Sequence, residues 1–470
     1  MSRPPQSDTI AAIATALGEG GISVIRISGP QAIQIASEGF RSKQPLEGAS
    51  SHTAHYGSFR DPEGNNVDEV VVTIFREPNS FTGENVAEIS CHGGPFVAKR
   101  ILEALVKFGA RHAEPGEFTK RAFLNGKLDL TQAEAVADII RSRSDLAHRA
   151  SYEQLRGRLS SEIAALRESL IHIIGLLEIE LDFVEDGLEF VDRRKLMSLV
   201  DGASNQIWKL ISSYRTGKII RDGIRVVLAG APNVGKSSLL NALLNEDRAI
   251  VTEVPGTTRD VIEESFVADG LAIRLIDTAG VRTTDHIVEV EGIKRSEHQI
   301  RNCDVLLLVL DRSRHLEEID LLQSGRILAE LKPSASIGKL ILNKSDLPSQ
   351  LTPAELDAVE LFRGLGRICV SALDNSGLDE LRKALVSSIA EAGKWSREGG
   401  VLVTHQRHHD ALLRAQKNLG SVKESLEAGA SNEFLAVDIR GALDSLGEIV
   451  GIVTTDDILN DIFSKFCIGK

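Results

Sequence analysis

At 470 residues, with 54 Lys and Arg against 67 Asp and Glu for a formal charge of −13, the chain is too long for one hydrophobic core and too acidic overall to coat nucleic acid. Hydrophobic residues at 42% and charged residues at 26% are ordinary for a globular protein, and no apolar run approaches the roughly 18 residues that cross a bilayer. Two or three domains and no membrane span are expected, and an RNA partner would need a local positive patch.

The first residues, MSRPPQSDTIAAIATALGEGG, lack an apolar core between a basic start and a small-residue cleavage site, so no secretory signal is read and a cytoplasmic address is expected. Residues 1–125 carry short strand-like runs, ISVIRISG and EVVVTIF, broken by glycine, proline and asparagine, which predicts a separate α+β domain. Cys91 beside His92 in SCHGGP has no evident third partner and reads as part of a structural turn. The other cysteines, Cys303, Cys369 and Cys467, are far apart and form no Cys-x-x-Cys pair, which argues against a disulfide framework or a zinc site.

From 126 to 221 the texture becomes helical: Leu159, Ile163, Leu166, Leu170, Ile173 and Leu177 alternate spacings of four and three, which puts them on one core-facing stripe of a long helix. Residues 222–388 alternate apolar runs (IRVVLAG, LAIRLIDTAG, CDVLLLVLD, GKLILNKSD, RICVSA) with helix-length stretches, the pattern of a mostly parallel sheet with crossover helices. From 389 to 470 helical periodicity returns in Leu435, Ile439, Leu443 and Leu446, then in Ile458, Ile462 and Phe466. The two helical stretches are expected to pack on one another as a discontinuous domain. The α/β unit would be inserted between them on the polar, glycine-containing hinges RTGKIIRDG and AGKWSREGG.

GAPNVGKSS, Gly230 to Ser238, fits G-x-x-x-x-G-K-[ST] between a strand and the helix-like SSLLNALL. Its backbone N–H groups, from Asn233, Val234, Gly235 and Ser238 among others, would converge on phosphate oxygens at a helix start. Lys236 would bring a point charge to the terminal phosphates and the Ser237 hydroxyl would hold magnesium. NKSD ends a later strand: Asn343 and Lys344 lead to Asp346, whose carboxylate can accept two hydrogen bonds from guanine that adenine cannot offer. In VSAL, a backbone N–H of Ser371 or Ala372 could meet the guanine oxygen, with Leu373 next in the same nucleotide-binding loop. Asp277 in LIDTAG is placed to reach magnesium through water, with Thr278, Ala279 and the Gly280 N–H near the terminal phosphate. TEVPGTTRD contains Thr252, Glu253, Val254, Pro255, Gly256 and Thr257, followed by Thr258, the natural candidate to complete the magnesium shell. Both loops read as switches that order on the terminal phosphate. One position is anomalous: Gly280 is followed by Val281, where many GTP-hydrolysing switches place the glutamine that orients water.

This ordered set, together with DTIAAIAT, VIRISG, SFTGENVAEISCHGGP, PGEFTKRAFLNGKLDL and the final FCIGK, resembles the MnmE (TrmE) family of tRNA-modification GTPases over essentially the full length. The resemblance implies a potassium ion in place of an arginine finger, held by Asn233 with oxygens from Thr252, Val254 and Thr257. It also implies Glu289 as the catalytic glutamate that orients water, with Glu291 the nearest alternative in register. It implies 5-formyltetrahydrofolate near Arg26, Glu84, Lys127 and Lys470, and a functional thiol at Cys467. Implied partners are a second copy, pairing through the switch faces of the GTP state, a flavin-dependent MnmG-type protein, and tRNA, whose wobble uridine receives an aminomethyl-type group. The runner-up readings are a ribosome-assembly or RNA-binding GTPase switch without modification chemistry, and a folate-dependent one-carbon enzyme with a vestigial nucleotide domain.

Overall fold

A computed structural model describes residues 8–182, 193–245, 263–277, 297–331, 337–387 and 400–470. The chain divides into two compact units, one of residues 1–140, 153–208 and 410–470, the other of residues 141–152 and 209–409. The division falls inside four continuous helices, Leu130–Arg141, Asp145–Leu155, Arg193–Asp222 and Gln406–Glu427.

The first unit opens with a sheet of β1 (Ile10–Ile13), β2 (Ile22–Ser28), β3 (Phe40–Arg41), β4 (Thr53–Arg60), β5 (Asn66–Phe75), β6 (Val86–His92) and β7 (Arg111–His112), in the order β3-β4-β5-β6-β2-β1-β7. Every pairing is antiparallel except β1 with β7. One face is apolar because side chains alternate along a strand: Val70, Val72 and Ile74 of β5 are buried while Val71 is exposed. The helix Pro95–Lys107 takes Pro at its first turn and lays Ile101, Ala104 and Leu105 on that face. Cys91 and His92 close β6 as strand rather than turn, because the register continues Ser23↔Cys91 and Ile22↔His92. Burial pushes the Cys91 thiol up to about 11, which removes it as a nucleophile near neutral pH.

The expected stripe forms on the helix Arg158–Asp182, where Leu159, Ile163, Leu166, Leu170, Ile173 and Leu177 are all buried. This helix packs along Asn432–Val450, so segments far apart in sequence share one helical core. In the last helix, Asp456–Ser464, the inward face is set by Leu459, Ile462 and Phe463, with Phe466 just beyond, and Ile458 is only partly covered. The periodicity was right and its starting point was one residue out.

The second unit holds a sheet of β8 (Ile224–Ala229), β9 (Glu263–Ala268), β10 (Leu271–Asp277), β11 (Val305–Asp311), β12 (Ile337–Asn343) and β13 (Gly366–Cys369), ordered β13-β12-β11-β8-β10-β9. All neighbours are parallel except β9 with β10. Strand β11, VLLLVLD, is buried along its whole length, as a central parallel strand covered on both faces must be. Residues 141–152 cluster with this unit: Leu146 and Ala150 pack on its core, and the Leu146 N–H donates to the Gly270 carbonyl at 3.3 Å.

The stretch RTGKIIRDG is not a loop hinge, because through Asp222 it is the end of the helix Arg193–Asp222. Its Gly217 serves close packing: a Cβ there would stand 2.2 Å from the Val403 carbonyl oxygen. The matching stretch AGKWSREGG lies outside the described residues except for its last glycine. Among the described residues no helix is long and apolar enough to cross a membrane.

Candidate functional site

In the second unit, β8 delivers the chain to the phosphate-type loop at its carboxyl end, where parallel sheets bind ligands. Gly230 runs at φ 149° with its Cα against β11, and a Cβ would lie 2.3 Å from the Val309 carbonyl oxygen. Asn233 takes the left-handed region at φ 63°, which asparagine tolerates better than most residues, and its side chain is exposed. Gly235 at φ 91° has no room for a side chain, since a Cβ would fall 2.3 Å from Asn343 Nδ2. The helix Lys236–Asn245 follows, so the loop's N–H groups gather at its positive end.

Lys236 is buried, and its Nζ donates to the Gly230 and Ala231 carbonyls at 3.0 and 2.8 Å, capping its own loop from inside. Burial lowers the ammonium's pKa, against the opposing charge of Asp277. Two neutral carbonyls are weaker direct partners for a buried cation than an anion is, so the position suits a phosphate oxygen. Ser237 Oγ donates to Asp277 Oδ2 at 3.0 Å, which sets a hydroxyl and a carboxylate side by side at the loop mouth, the oxygen donors a magnesium ion takes.

The loops expected to read the base follow β12 and β13. Asn343 is buried; its Nδ2 donates to the Val234 carbonyl at 2.8 Å, and its Oδ1 accepts from the Ala372 N–H at 3.4 Å. One side chain thus ties the loop before the helix Lys236–Asn245 to the loops that follow β12 and β13. Lys344 stands at φ 63° and bonds Asp311 Oδ2 at 2.5 Å. Burial raises the Asp311 pKa, and the bonds from Lys344 and Ser313 outweigh it, leaving that carboxyl below its ordinary range. Asp346 Oδ1 accepts from Ser371 Oγ at 2.7 Å, and that hydroxyl itself accepts from the Leu373 and Asp374 N–H groups at 3.2 and 3.3 Å. The carboxylate is thereby oriented through one edge. Leu373 itself is exposed.

Sequence reasoning placed Lys236, Ser237, Asp277, Asn343, Asp346 and Ser371 in one site, and they meet there. It missed the Asn343 to Val234 link and the Asp311 partner of Lys344; the buried Asp at the end of an all-apolar strand was the available signal for the latter. Thr252, Glu253, Val254, Pro255, Gly256, Thr257, Thr258, Thr278, Ala279, Gly280 and Glu289 lie outside the described residues.

A second cluster forms in the first unit around the end of β2. Arg26 bonds Glu88 Oε1 at 2.8 Å and lies over the Phe81 and Phe118 rings at 5.3 and 5.7 Å. The Lys127 stem crosses Gly83, where a Cβ would meet its Cγ at 3.3 Å, and its Nζ donates to the Pro78 carbonyl at 3.0 Å. Lys470 is half-buried; desolvation and the nearby Arg26 charge lower its pKa, while Glu88 and Cys467 act the other way. The last residues are held by two glycine contacts. Gly116, at φ 67°, has Phe463 O 2.7 Å from where a Cβ would be, and Gly469, at φ 97°, has Ile13 O at 2.3 Å. Cys467 is exposed beside this anchor, its carbonyl accepting from the Gly116 N–H at 3.4 Å.

Glu84 Oε2 accepts from Ser28 Oγ at 2.6 Å. Behind it Arg121, fully buried, bonds Asp8, Glu117 and Glu84, and sequence reasoning assigned it no role. The i,i+4 pair Glu117–Arg121 in PGEFTKR was its only local trace.

The family model "MnmE helical domain" matches residues 130–467, and "GTP-binding protein TrmE N-terminus" matches residues 9–127. The chain is 45% identical over 472 residues to the tRNA modification GTPase MnmE of Salinibacter ruber, covering 99% of this chain and 100% of that one. It is 44% identical over 465 residues to the MnmE of Geobacter metallireducens, covering 98% and 99%. Among solved structures, the G domain of the T. maritima FeoB iron transporter matches 35% of this chain and 98% of its own, at 27% identity and a TM-score of 0.27.

Proposed function

This chain belongs to the MnmE family of tRNA modification GTPases, and we propose that it is a potassium-activated member that acts with a flavin-dependent MnmG-type partner. The product would be a (carboxymethyl)aminomethyl group on C5 of the wobble uridine, U34, of certain tRNAs, with 5-formyltetrahydrofolate as the source of the one-carbon unit. GTP is the nucleotide hydrolysed, and magnesium accompanies it. Ser237 and Thr258 would hold magnesium, with Asp277 acting through water. A cytoplasmic site of action fits this chemistry, and the boundaries at 126, 222 and 389 are kept as the proposed domain limits.

The observation that carries the catalytic reading is Asn233: exposed at the loop mouth, in a left-handed conformation, it offers a neutral amide oxygen where no arginine stands in the described loop. Potassium there, completed by oxygens of Thr252, Val254 and Thr257, would neutralise charge developing between the phosphates, the service for which an arginine finger is worth a thousandfold or more. Glu289 would orient the attacking water in place of the glutamine absent at Val281. Two such sites would pair across their switch faces, which makes turnover depend on the homodimer.

The folate reading is supported by its donor set. Glu84 offers a carboxylate to ring amines, Phe81 an exposed aromatic face, and Arg26, Lys127 and Lys470 offer cations for the glutamate tail. Arg26 would have to share its guanidinium between that tail and Glu88.

The deciding experiment measures GTP turnover in potassium and in sodium, with Asn233→Ala beside the parent. Strong potassium stimulation that the substitution abolishes is expected. Equal rates in both salts would remove the cation mechanism and favour a ribosome-assembly switch.

A further inference from the structure

Arg121 poses a problem of its own. A buried guanidinium is several kcal/mol unfavourable unless its charge and donors are matched. Asp8 and Glu117 already match it. Arg121 Nη2 reaches Asp8 Oδ1 at 2.9 Å and Glu117 Oε1 at 3.0 Å, while Arg111 bonds the same two carboxylates from outside, at 2.8 and 2.6 Å. Two cations and two anions close a balanced ring.

Glu84 is a third carboxylate added to that ring. Arg121 Nη1 straddles its two oxygens at 3.3 and 3.4 Å, longer than the ~2.8 Å of an optimised ion pair. The guanidinium keeps this orientation although its Nε has no hydrogen-bond partner. From the other side Ser28 Oγ donates to Oε2 at 2.6 Å, is itself bonded to Thr82 Oγ1 at 2.7 Å, and Thr82 Oγ1 accepts from the Glu84 N–H at 3.3 Å. The Glu84 side chain, on the loop between β5 and β6 that also carries Phe81, keeps 15% of its surface open, against 44% for Asp8 and 5% for Glu117. Its protein-side lone pairs are used and its torsion is fixed, so the remaining acceptor edge faces a set direction.

We infer that Arg121 and Ser28 are positioning residues that hold the Glu84 carboxylate so that its free edge accepts from the adjacent ring N–H and exocyclic amine of a 2-amino-4-oxopyrimidine, the recognition end of a pterin. This rests on the folate reading and specifies how its ring end is chosen. A fixed carboxylate loses little torsional freedom on pairing with two parallel donors, and a free one has that freedom to lose.

The test uses the full chain and two probes, 5-formyltetrahydrofolate and its 2-desamino analogue, which differ only in the amine from which the Glu84 carboxylate would accept a hydrogen bond. Binding is measured by calorimetry for the parent, Arg121→Lys and Ser28→Ala, with thermal melting as the folding control. The parent prefers the amino form by tenfold or more. Each variant weakens the amino form about tenfold and leaves the desamino form within about twofold, so the preference collapses. Ser28→Ala leaves the buried ring intact, so its unchanged preference overturns the inference even where Arg121→Lys does not fold. Equal weakening of both probes also overturns it, since general loosening of the domain has no reason to single out one amine. A parent that binds neither probe ends the folate reading and this inference together, whereas a parent that binds while the variants match it ends this inference alone.

Discussion

The tie between Asn343 and Val234 makes a quantitative demand. Asn343→Asp keeps the shape and the acceptor oxygen, but sets an oxygen against the Val234 carbonyl oxygen where Nδ2 donated at 2.8 Å. Val234 and Asn343 are both buried, so water does not replace the lost donor. An unsatisfied buried acceptor costs about 1–3 kcal/mol, and a charged neighbour adds to this. If the loop must hold its bound shape for phosphate to enter, that penalty converts to a roughly 5- to 150-fold loss of GDP and GTP affinity. Asn343→Ala loses the same bond and also opens a gap over Gly235, whose missing Cβ would lie 2.3 Å from that amide. The assay is titration with a fluorescent guanine nucleotide, alongside melting of the nucleotide-free protein. Asn343→Asp should weaken GDP and GTP together and lower the melting temperature. A variant that binds both within twofold of the parent and melts unchanged would refute the claim that this side chain holds the phosphate loop.

Two further outcomes are expected. Gly116→Ala places a side chain in the left-handed region, at about 1–2 kcal/mol, and drives a Cβ against the Phe463 carbonyl; the tail after Lys465 should then be cut faster by trypsin, and equal cleavage rates count against the anchoring role. Burial raises the pKa of Glu117, but the bonds from Arg111, the Glu114 N–H and Arg121 outweigh it, so its folded pKa lies below the ordinary value of about 4.3. The stability this supplies is complete above that ordinary value and is lost as pH falls through the lower folded one. Melting temperature should be flat from neutrality to about pH 5 and drop below about pH 4, with a shallower acid limb in Arg111→Met; identical limbs would mean that the ion network does not set acid stability.

What could be read from the chain divides along a physical line. Features fixed by local geometry were legible: a loop that needs Gly230 and Gly235 for backbone approach, a carboxylate at Asp346 just beyond the apolar strand that positions it, a stripe of leucines and isoleucines from Leu159 to Leu177. Features fixed by long-range closure were not. Nothing near Gly217 announces that Val403 will press on its Cα, so a glycine that permits packing was read as one that permits bending. The same holds for Arg121, whose partners Asp8 and Glu84 come from positions far along the chain, so that its i,i+4 partner alone looked like any helix-surface pair. It also holds for residues 141–152, which periodicity assigns to helix but whose Leu146 and Ala150 contacts only the fold can assign to the α/β unit. A charged side chain that is solvated and one that is buried in a closed ring have the same local sequence. The difference between them is whether distant partners arrive, and at Glu84 that difference separates a surface acid from an oriented acceptor.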